Sequence, residues 1–357
     1  MTGLTKGHPK GISLRSVPLT PHNIHYLHSK LSISVALCTH NGARFIHDQI
    51  QSICRQSLLP DQMVVSDDAS DDECVVLIEA AIGNWQRQSC TPLPLKTLRN
   101  AVPLKVTKNF EQAVTACTGD LIALCDQDDI WHVDRLARIA AEFERRPDLL
   151  LLHSNARLVD DQGLGLPGSL FSALEVRPFE LEWIHGQRAF DVFLRRNLVT
   201  GATTVFRRSL LQYALPFPKE WLHDEWLAIM AAAIGCVDVL EQPLIDYRQH
   251  ASNQIGARRE TLITKLHKAF ASRDSTLGDR AVKIEILLAR LSQYEDAVHS
   301  PVLAKLHQKL AHQRFRATLP KHRIARCLPV LLEALTGRYN QFGRGLHNIA
   351  RDIFESA

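Results

Sequence analysis

Residues 121–131 read LIALCDQDDIW, and this run decides the fold. Leu121–Cys125 is a short continuous apolar stretch, as expected of a strand buried on both faces, and it runs without a break into Asp126, Gln127, Asp128 and Asp129. The same construction recurs on either side. Leu31–Thr39 (LSISVALCT) is a buried strand bounded by the turn-like pair Asn41-Gly42, and Phe45, Ile46, Ile50, Ile53 and Cys54 then repeat at helical spacing until Pro60. Gln62–Ser66 predicts a second strand that ends in Asp67-Asp68-Ala69-Ser70-Asp71-Asp72, with a helix starting near Glu73. Leu95–Leu98 reads as a strand, Phe110–Cys117 as a helix closed by Gly119, Val133–Arg146 as a helix stopped by Pro147, and Leu149–His153 as a further strand. Strand and helix alternating at this spacing imply an α/β architecture, a mostly parallel central sheet flanked by helices. In such sheets ligands bind beyond the carboxyl ends of the strands.

Two acidic clusters, Asp67/Asp68 and Asp126/Asp128/Asp129, each follow a predicted strand directly, so the topology carries both to one edge of the sheet. Taken singly, either cluster could serve as an ordinary helix N-cap. Together they predict a crevice where crowded carboxylates repel one another and a divalent cation bridging to phosphate offsets the repulsion. Hard oxygen ligands suit Mg²⁺ or Mn²⁺, and no Cys/His set has zinc spacing. Gly163–Gly168 satisfies GxGxxG, but Pro167 would break the helix that must open there, and 160–163 reads as a turn, so dinucleotide binding is set aside.

Composition divides the chain. Net charge is +4, yet residues 258–357 hold 18 Lys+Arg against 9 Asp+Glu, leaving 24 against 29 in residues 1–257. Three regions follow: a loose lead-in over 1–30, an α/β unit over 31–257, and a basic helical region over 258–357 with Ile324, Leu328, Leu331, Leu332 and Leu335 on one stripe and Arg323 and Arg326 off it. His22, His25 and His28 recur in the lead-in as a surface tract with nothing else of ligand type nearby. No apolar run reaches spanning length, the lead-in lacks a signal-like core, and eight unpaired-looking cysteines read as thiols of a reducing, cytoplasmic compartment. The basic region fits either an anionic membrane surface at the inner face of the cytoplasmic membrane, or packing and dimerisation.

The sequence resembles family 2 glycosyltransferases, in particular their rhamnosyltransferase-like bacterial branch. The resemblance is carried by VALCTHNGARFIHDQIQSICRQS from Val35, VVSDDASDD from Val64, ALCDQDDIW from Ala123, TGATTVFRRSLL from Thr200, HDEWLA from His223 and YRQHASNQIG from Tyr247, in the family's order over 31–257. It implies a GT-A (Rossmann-like) fold and inverting transfer of a sugar from a UDP- or dTDP-sugar to a hydroxyl of a glycan or lipid-linked acceptor in cell-surface polysaccharide assembly. It does not imply a nucleic-acid partner. By position, Thr39 and Asp68 match residues that hold the nucleotide base and ribose, with Asp67 a close neighbour at the same nucleotide-sugar site. Asp126 and Asp128 match the DxD element, with Asp128 on the metal, Asp126 on ribose or metal and Asp129 assisting. Asp224 matches the general base, and Glu225 is the other candidate. Gly201 fits a close backbone approach under the sugar or acceptor, or a turn. Arg248 fits a phosphate partner, and His250 either a metal or diphosphate contact or a satisfied loop histidine. Arg207 and Arg208 read as solvated residues at a helix start. A nucleotidyltransferase, the competing enzyme reading, calls for a Gly-rich basic loop where this chain has Thr39-His-Asn-Gly-Ala; a non-catalytic scaffold would be favoured by loss of Asp128 or Asp224, and both are present.

Overall fold

The computed structural model describes residues 31–250 and 273–354. The histidine tract of the lead-in and the composition boundary near 258 lie outside them. The strands are β1 (Ile33–Thr39), β2 (Gln62–Asp67), β3 (Leu95–Arg99), β4 (Leu121–Cys125), β5 (Ile130–Trp131), β6 (Leu149–Val159), β7 (Gly165–Ser169), β8 (Val205–Arg207) and β9 (Cys236–Arg248). They form one sheet in the order β3-β2-β1-β4-β8-β6-β9-β5, with β7 paired to β6. The β3-β2-β1-β4 half is parallel throughout, as strand–helix alternation demands. Beyond β4 the sheet is mixed: β8 runs antiparallel to both β4 and β6, β9 runs parallel to β6, and β5 antiparallel to β9. Short β5 and β8 lack room for a periodic signature of their own.

Strand alternation divides the core into two layers. Val35 and Leu37 of β1 face one cluster with Met63, Val65, Leu121 and Ala123, under helices α1 (Ile46–Cys54), α2 (Cys74–Ser89) and α4 (Arg135–Arg145). Ala36 and Cys38 face the other with Val64, Ile122 and Leu124, under α3 (Val106–Ala116). The chain then adds α5 (Leu170–Ala173), which contributes to both layers, and on the second side α6 (Pro178–His185), α7 (Ala189–Arg195), α8 (Leu211–Ala214) and α9 (His223–Ile234), whose Trp226 is fully buried. The GxGxxG stretch is a hairpin: Gly163 and Gly168 take positive φ and β7 returns along β6.

The basic region contributes α10 (Arg273–Leu291), α11 (Pro301–Ala317), α12 (Arg323–Leu335), α13 (Arg338–Phe342) and α14 (Leu346–Phe354). Its inward apolar residues do not form a separate core. Ile284, Leu287, Leu291, Val302 and Leu306 join the cluster that holds Trp226 and Phe193. Arg290 secures the joint by donating to the carbonyls of Tyr213, Ala214, Leu215 and Pro216. No described helix is long and apolar enough to cross a membrane.

Candidate active site

The parallel register sets the site. Thr39 stands beside Asp67 on neighbouring strand ends, and its Oγ1 donates to Asp67 Oδ1 at 2.8 Å. The Ser70 hydroxyl and backbone N–H also donate to Asp67. This carboxylate is fully buried and organises its own loop. Asp68 reaches the other way, accepting from the backbone N–H of Leu104 (2.6 Å) and Lys105 (2.9 Å) and from Asn100 Nδ2 (3.1 Å). Lys105 is thereby held at φ 69°, and Asn41 and Ala69 nearby also take positive φ. Such conformations cost about 1–3 kcal/mol each and persist only where surrounding contacts fix them, so the loops beyond β1, β2 and β3 are preset rather than adaptable.

At the end of β4 four carboxyl groups share one crevice. Burial, followed by the charges of Asp128 and Asp224, pushes Asp126 up to about 7. Asp129 is buried and raised well above the carboxylate range by desolvation and by Asp128; its Oδ1 accepts from the Arg248 backbone N–H, while Oδ2 has no hydrogen-bond partner. Asp128 Oδ2 lies 2.7 Å from His250 Nε2. Asp224 projects from the first turn of α9, where its Oδ2 accepts from Gly201 N–H (3.0 Å) and its Oδ1 from Glu225 N–H (2.7 Å). Burial nevertheless holds its pKa up at about 6. The four charges all act on the buried Tyr247 hydroxyl of β9, whose ionisation they oppose after desolvation. Asp68 and Asp126 meet at Cys38, whose thiol burial and both carboxylates push upward. Residues far apart in sequence thus face one space at the carboxyl edge of the sheet.

Residues 34–213, half of the chain, match the family profile described as Glycosyl transferase family 2. The chain belongs to that family. A Nostoc protein described as an uncharacterised glycosyltransferase is 25% identical over 243 residues, covering 62% of this chain and 66% of its own length. An Escherichia coli UDP-Gal:alpha-D-GlcNAc-diphosphoundecaprenol beta-1,3-galactosyltransferase is 22% identical over 225 residues, 61% of this chain and 74% of the relative. With an uncharacterised Mycobacterium bovis protein, 22% identical over 224 residues, the alignment takes in 61% of this chain and 59% of that protein. The chain therefore spans about three fifths of that relative. In fold it is similar to residues 1–349 of S. aureus TarS in complex with UDP-GlcNAc, with a TM-score of 0.52 and 18% identity over 90% of this chain and 81% of that fragment.

The remaining candidates of this family 2 chain divide by where their polar atoms go. Glu225 accepts from Lys283 Nζ of α10 at 2.8 Å, so it faces the helical region while Asp224 faces the carboxylates. The Arg248 guanidinium is buried and donates to the carbonyls of Asp128 (2.8 Å) and Asp161 (2.9 Å) and to Asp48 (3.1 Å), lying 4.8 Å over the Phe45 ring. It braces the DQDD loop against α1, which is a different placement from a phosphate-facing cation. A Cβ on Gly201 would lie 2.8 Å from His223 Nε2, so the close approach expected there is to the protein's own histidine. Arg207 and Arg208 are not merely solvated: Arg207 donates to the carbonyls of Leu149, Phe143 and Arg146, and Arg208 to that of Gly119.

Two contributors gave no clear signal in the sequence. Gln127, between Asp126 and Asp128, accepts from His40 N–H (2.8 Å) and donates to His40 O (3.0 Å), clamping the β1 and β4 loops together. The clamp explains Gly42, where a Cβ would sit 2.3 Å from Gln127 Oε1. Arg135 is fully buried beneath the carboxylates, 3.9 Å over the Trp131 ring, and no nitrogen of its guanidinium has a hydrogen-bond partner. Desolvation lowers it to about 10 while Cys125, Asp129 and Asp126 hold its charge, so it is the counter-charge on the protein side of the crevice.

Proposed function

We propose that this chain transfers a sugar from a UDP- or dTDP-sugar to an acceptor hydroxyl with inversion at the anomeric carbon. The observation that carries the reading is the convergence of Asp126, Asp128, Asp129 and Asp224 on one crevice, with Asp224 alone presented from a helix N-terminus by two backbone N–H groups. The donor set fits Mg²⁺ or Mn²⁺: Asp129 Oδ2 is buried without a donor, and Asp128 is already paired with an imidazole. Among the described residues no three His, Cys, Asp or Glu side chains form a complete cation cage. Asp128, with Asp126 or His250, would hold such a cation only in part, which suits a metal that arrives with the donor. Bound there, such a cation neutralises charge developing on the departing diphosphate. Asp224 accepts the proton of the attacking hydroxyl; Gly201 and Glu225 N–H fix its lone pairs, and a pKa of about 6 leaves it ionised yet basic near neutrality. One base on the face opposite the leaving group yields inversion.

A thermal-shift panel of nucleoside diphosphates with and without Mn²⁺ tests the donor side. Metal-dependent stabilisation by one base is expected, and Asp128→Asn should remove it. Absence of any such stabilisation in the wild type overturns the reading.

We further propose that the chain rests on an anionic membrane surface through α12 and α14. These helices are inverted. α12 buries Arg326 and Glu333, which pair with the Lys321 carbonyl and with His312, while Ile324 (89% exposed), Leu328, Leu331, Leu332 and Leu335 (84%) face outward. α14 buries Asp352 against Arg316 and Tyr339 while Leu346 and Phe354 stay exposed. The buried polar faces are specifically paired, so the outward apolar faces belong to the design of the fold. Between 321 and 354 the only acids, Glu333 and Asp352, are buried, whereas Lys321, Arg323 and Arg344 are exposed. A purely cationic rim complements anionic lipid and opposes a second copy of itself. The acceptor named for the E. coli relative, a diphosphoundecaprenol-linked sugar, is consistent with such a location. Leu328→Ser with Leu332→Ser should abolish flotation with phosphatidylglycerol vesicles at unchanged Tm. If instead the wild type is a dimer that the pair of changes makes monomeric, with flotation unaltered, the face is a dimer interface.

A further inference from the structure

Beside the carboxylate crevice, where the helical region meets the catalytic half, lies a pocket of about 370 Å³. Its walls follow from helical spacing. Arg280 and Lys283 stand one turn apart on α10, and Lys309, Gln313 and Arg316 share one face of α11 at i, i+4 and i+7. The segment that opens α14 adds Arg344. Trp221 and Glu225, at and before the first turn of α9, close the end nearest Asp224.

The charge in this pocket is one-sided. Eight lining side chains are Lys or Arg and one, Glu225, is acidic. Most of the cations are compensated inside the protein: Lys283 by Glu225, Arg316 by Asp352, Arg196 by Glu180, Arg195 by the carbonyl of Gly343, and Lys309 by the carbonyls of Leu194 and Phe342. The guanidinium groups of Arg280 and Arg344 have no hydrogen-bond or ion-pair partner among the described residues, and Gln313 Oε1 is buried without one. The cations also oppose one another. Burial lowers Lys309 to about 7, helped by Arg280, Arg316 and Arg195, and Arg280 is lowered by burial and then by Arg316 and Arg351. Cations that outnumber their counter-charges in a concave, partly desolvated space form an anion site, because an anion relieves their repulsion and satisfies their free N–H groups. The larger cavity of about 770 Å³ near Trp183 is not of this kind, since Glu175 and Glu180 line it and Arg196 is paired with Glu180.

We propose that this pocket binds the phosphate or diphosphate of a phosphorylated acceptor, holding it so that the acceptor hydroxyl reaches Asp224. Lys283 links the two places: it pairs with Glu225, the neighbour of Asp224, and its charge is felt at the Asp224 carboxyl. The assignment of the anion to the acceptor rests on the sugar-transfer reading; the existence of the anion site does not.

The test uses full-length protein in EDTA, which silences a metal-dependent donor site. Calorimetric titration with inorganic pyrophosphate should show binding, and the double variant Arg280→Gln/Arg344→Gln should weaken it roughly tenfold or more. The same variant should keep its Tm and its metal-dependent response to nucleoside diphosphates. A short-chain prenyl diphosphate that binds more tightly than pyrophosphate identifies a lipid-borne headgroup, and equal affinity identifies a water-soluble phosphorylated acceptor. No pyrophosphate binding in EDTA, binding unchanged in the double variant, or binding lost in Asp128→Asn instead, overturns the proposal. A failed nucleoside diphosphate panel alongside intact pyrophosphate binding would strike at the sugar-transfer reading and leave the anion site standing.

Discussion

Replacing Asp224 by asparagine should make stability, relative to the wild type, rise with pH and should remove most of the turnover. In the native fold burial raises the Asp224 carboxyl from 3.8 to about 6. A group raised in this way contributes its full stability below the unfolded value and loses it as pH climbs through the folded one. With 1.36 kcal/mol per unit, ionisation costs the fold up to about 3 kcal/mol at pH 8, and roughly half of that remains at pH 5. Asparagine carries no such charge. It also presents an amide NH₂ to one of the N–H donors of Gly201 and Glu225, a fixed cost of about 1–3 kcal/mol that does not vary with pH. The signature is therefore the slope: the stability of Asp224→Asn minus that of the wild type should rise by about 1.5 kcal/mol between pH 5 and pH 8. Urea unfolding at constant ionic strength measures it. Turnover should fall by about 10²–10⁴, with donor binding nearly intact. A pH-independent stability difference together with full turnover would refute both the enclosed carboxylate and its role as base.

Other consequences are quicker to check. In the wild type kcat/KM should rise with pH through about 6 and level above it as Asp224 ionises, a profile read from initial rates. Glu225→Gln, which breaks only the pairing with Lys283, should leave turnover within a few-fold of wild type; a loss as deep as that of Asp224→Asn would move the base to Glu225. Gly42→Ala should displace Gln127 from His40 and weaken nucleoside diphosphate binding in the thermal-shift panel while Tm changes little. Leu287→Ala, at a fully buried position of α10, should destabilise the whole protein by about 2–5 kcal/mol in a single calorimetric transition.

The parallel half of the fold and its acidic edge were legible because each acid follows an apolar run too short and too uniform to be anything but a buried strand. Leu121–Cys125 and the carboxylates after it are the plainest case. Side-chain direction was not legible. Arg248 and Glu225 carry charges that suit a ligand, yet their partners, Asp48 in α1 and Lys283 in the helical region, are named by no local pattern. Gln127 likewise looks like a spacer until Gly42 is seen to make room for it. The stripe from Ile324 to Leu335 was visible as a periodicity, but periodicity gives a face without saying whether it looks inward, and here the helix is turned by the pairing of Arg326 and Glu333 on its other side.

Leu287 and Leu291 fill the space beside Trp226, and Arg290 closes four carbonyls of the segment that leads into it. Cutting the polypeptide ahead of α10 would bare an oily hollow on the catalytic half and strip Glu225 of its lysine. The helical region therefore cannot be swapped between relatives as a cassette: a graft would need matching surfaces on both sides of the seam, and specificity carried by the pocket there must change together with the body it is welded to.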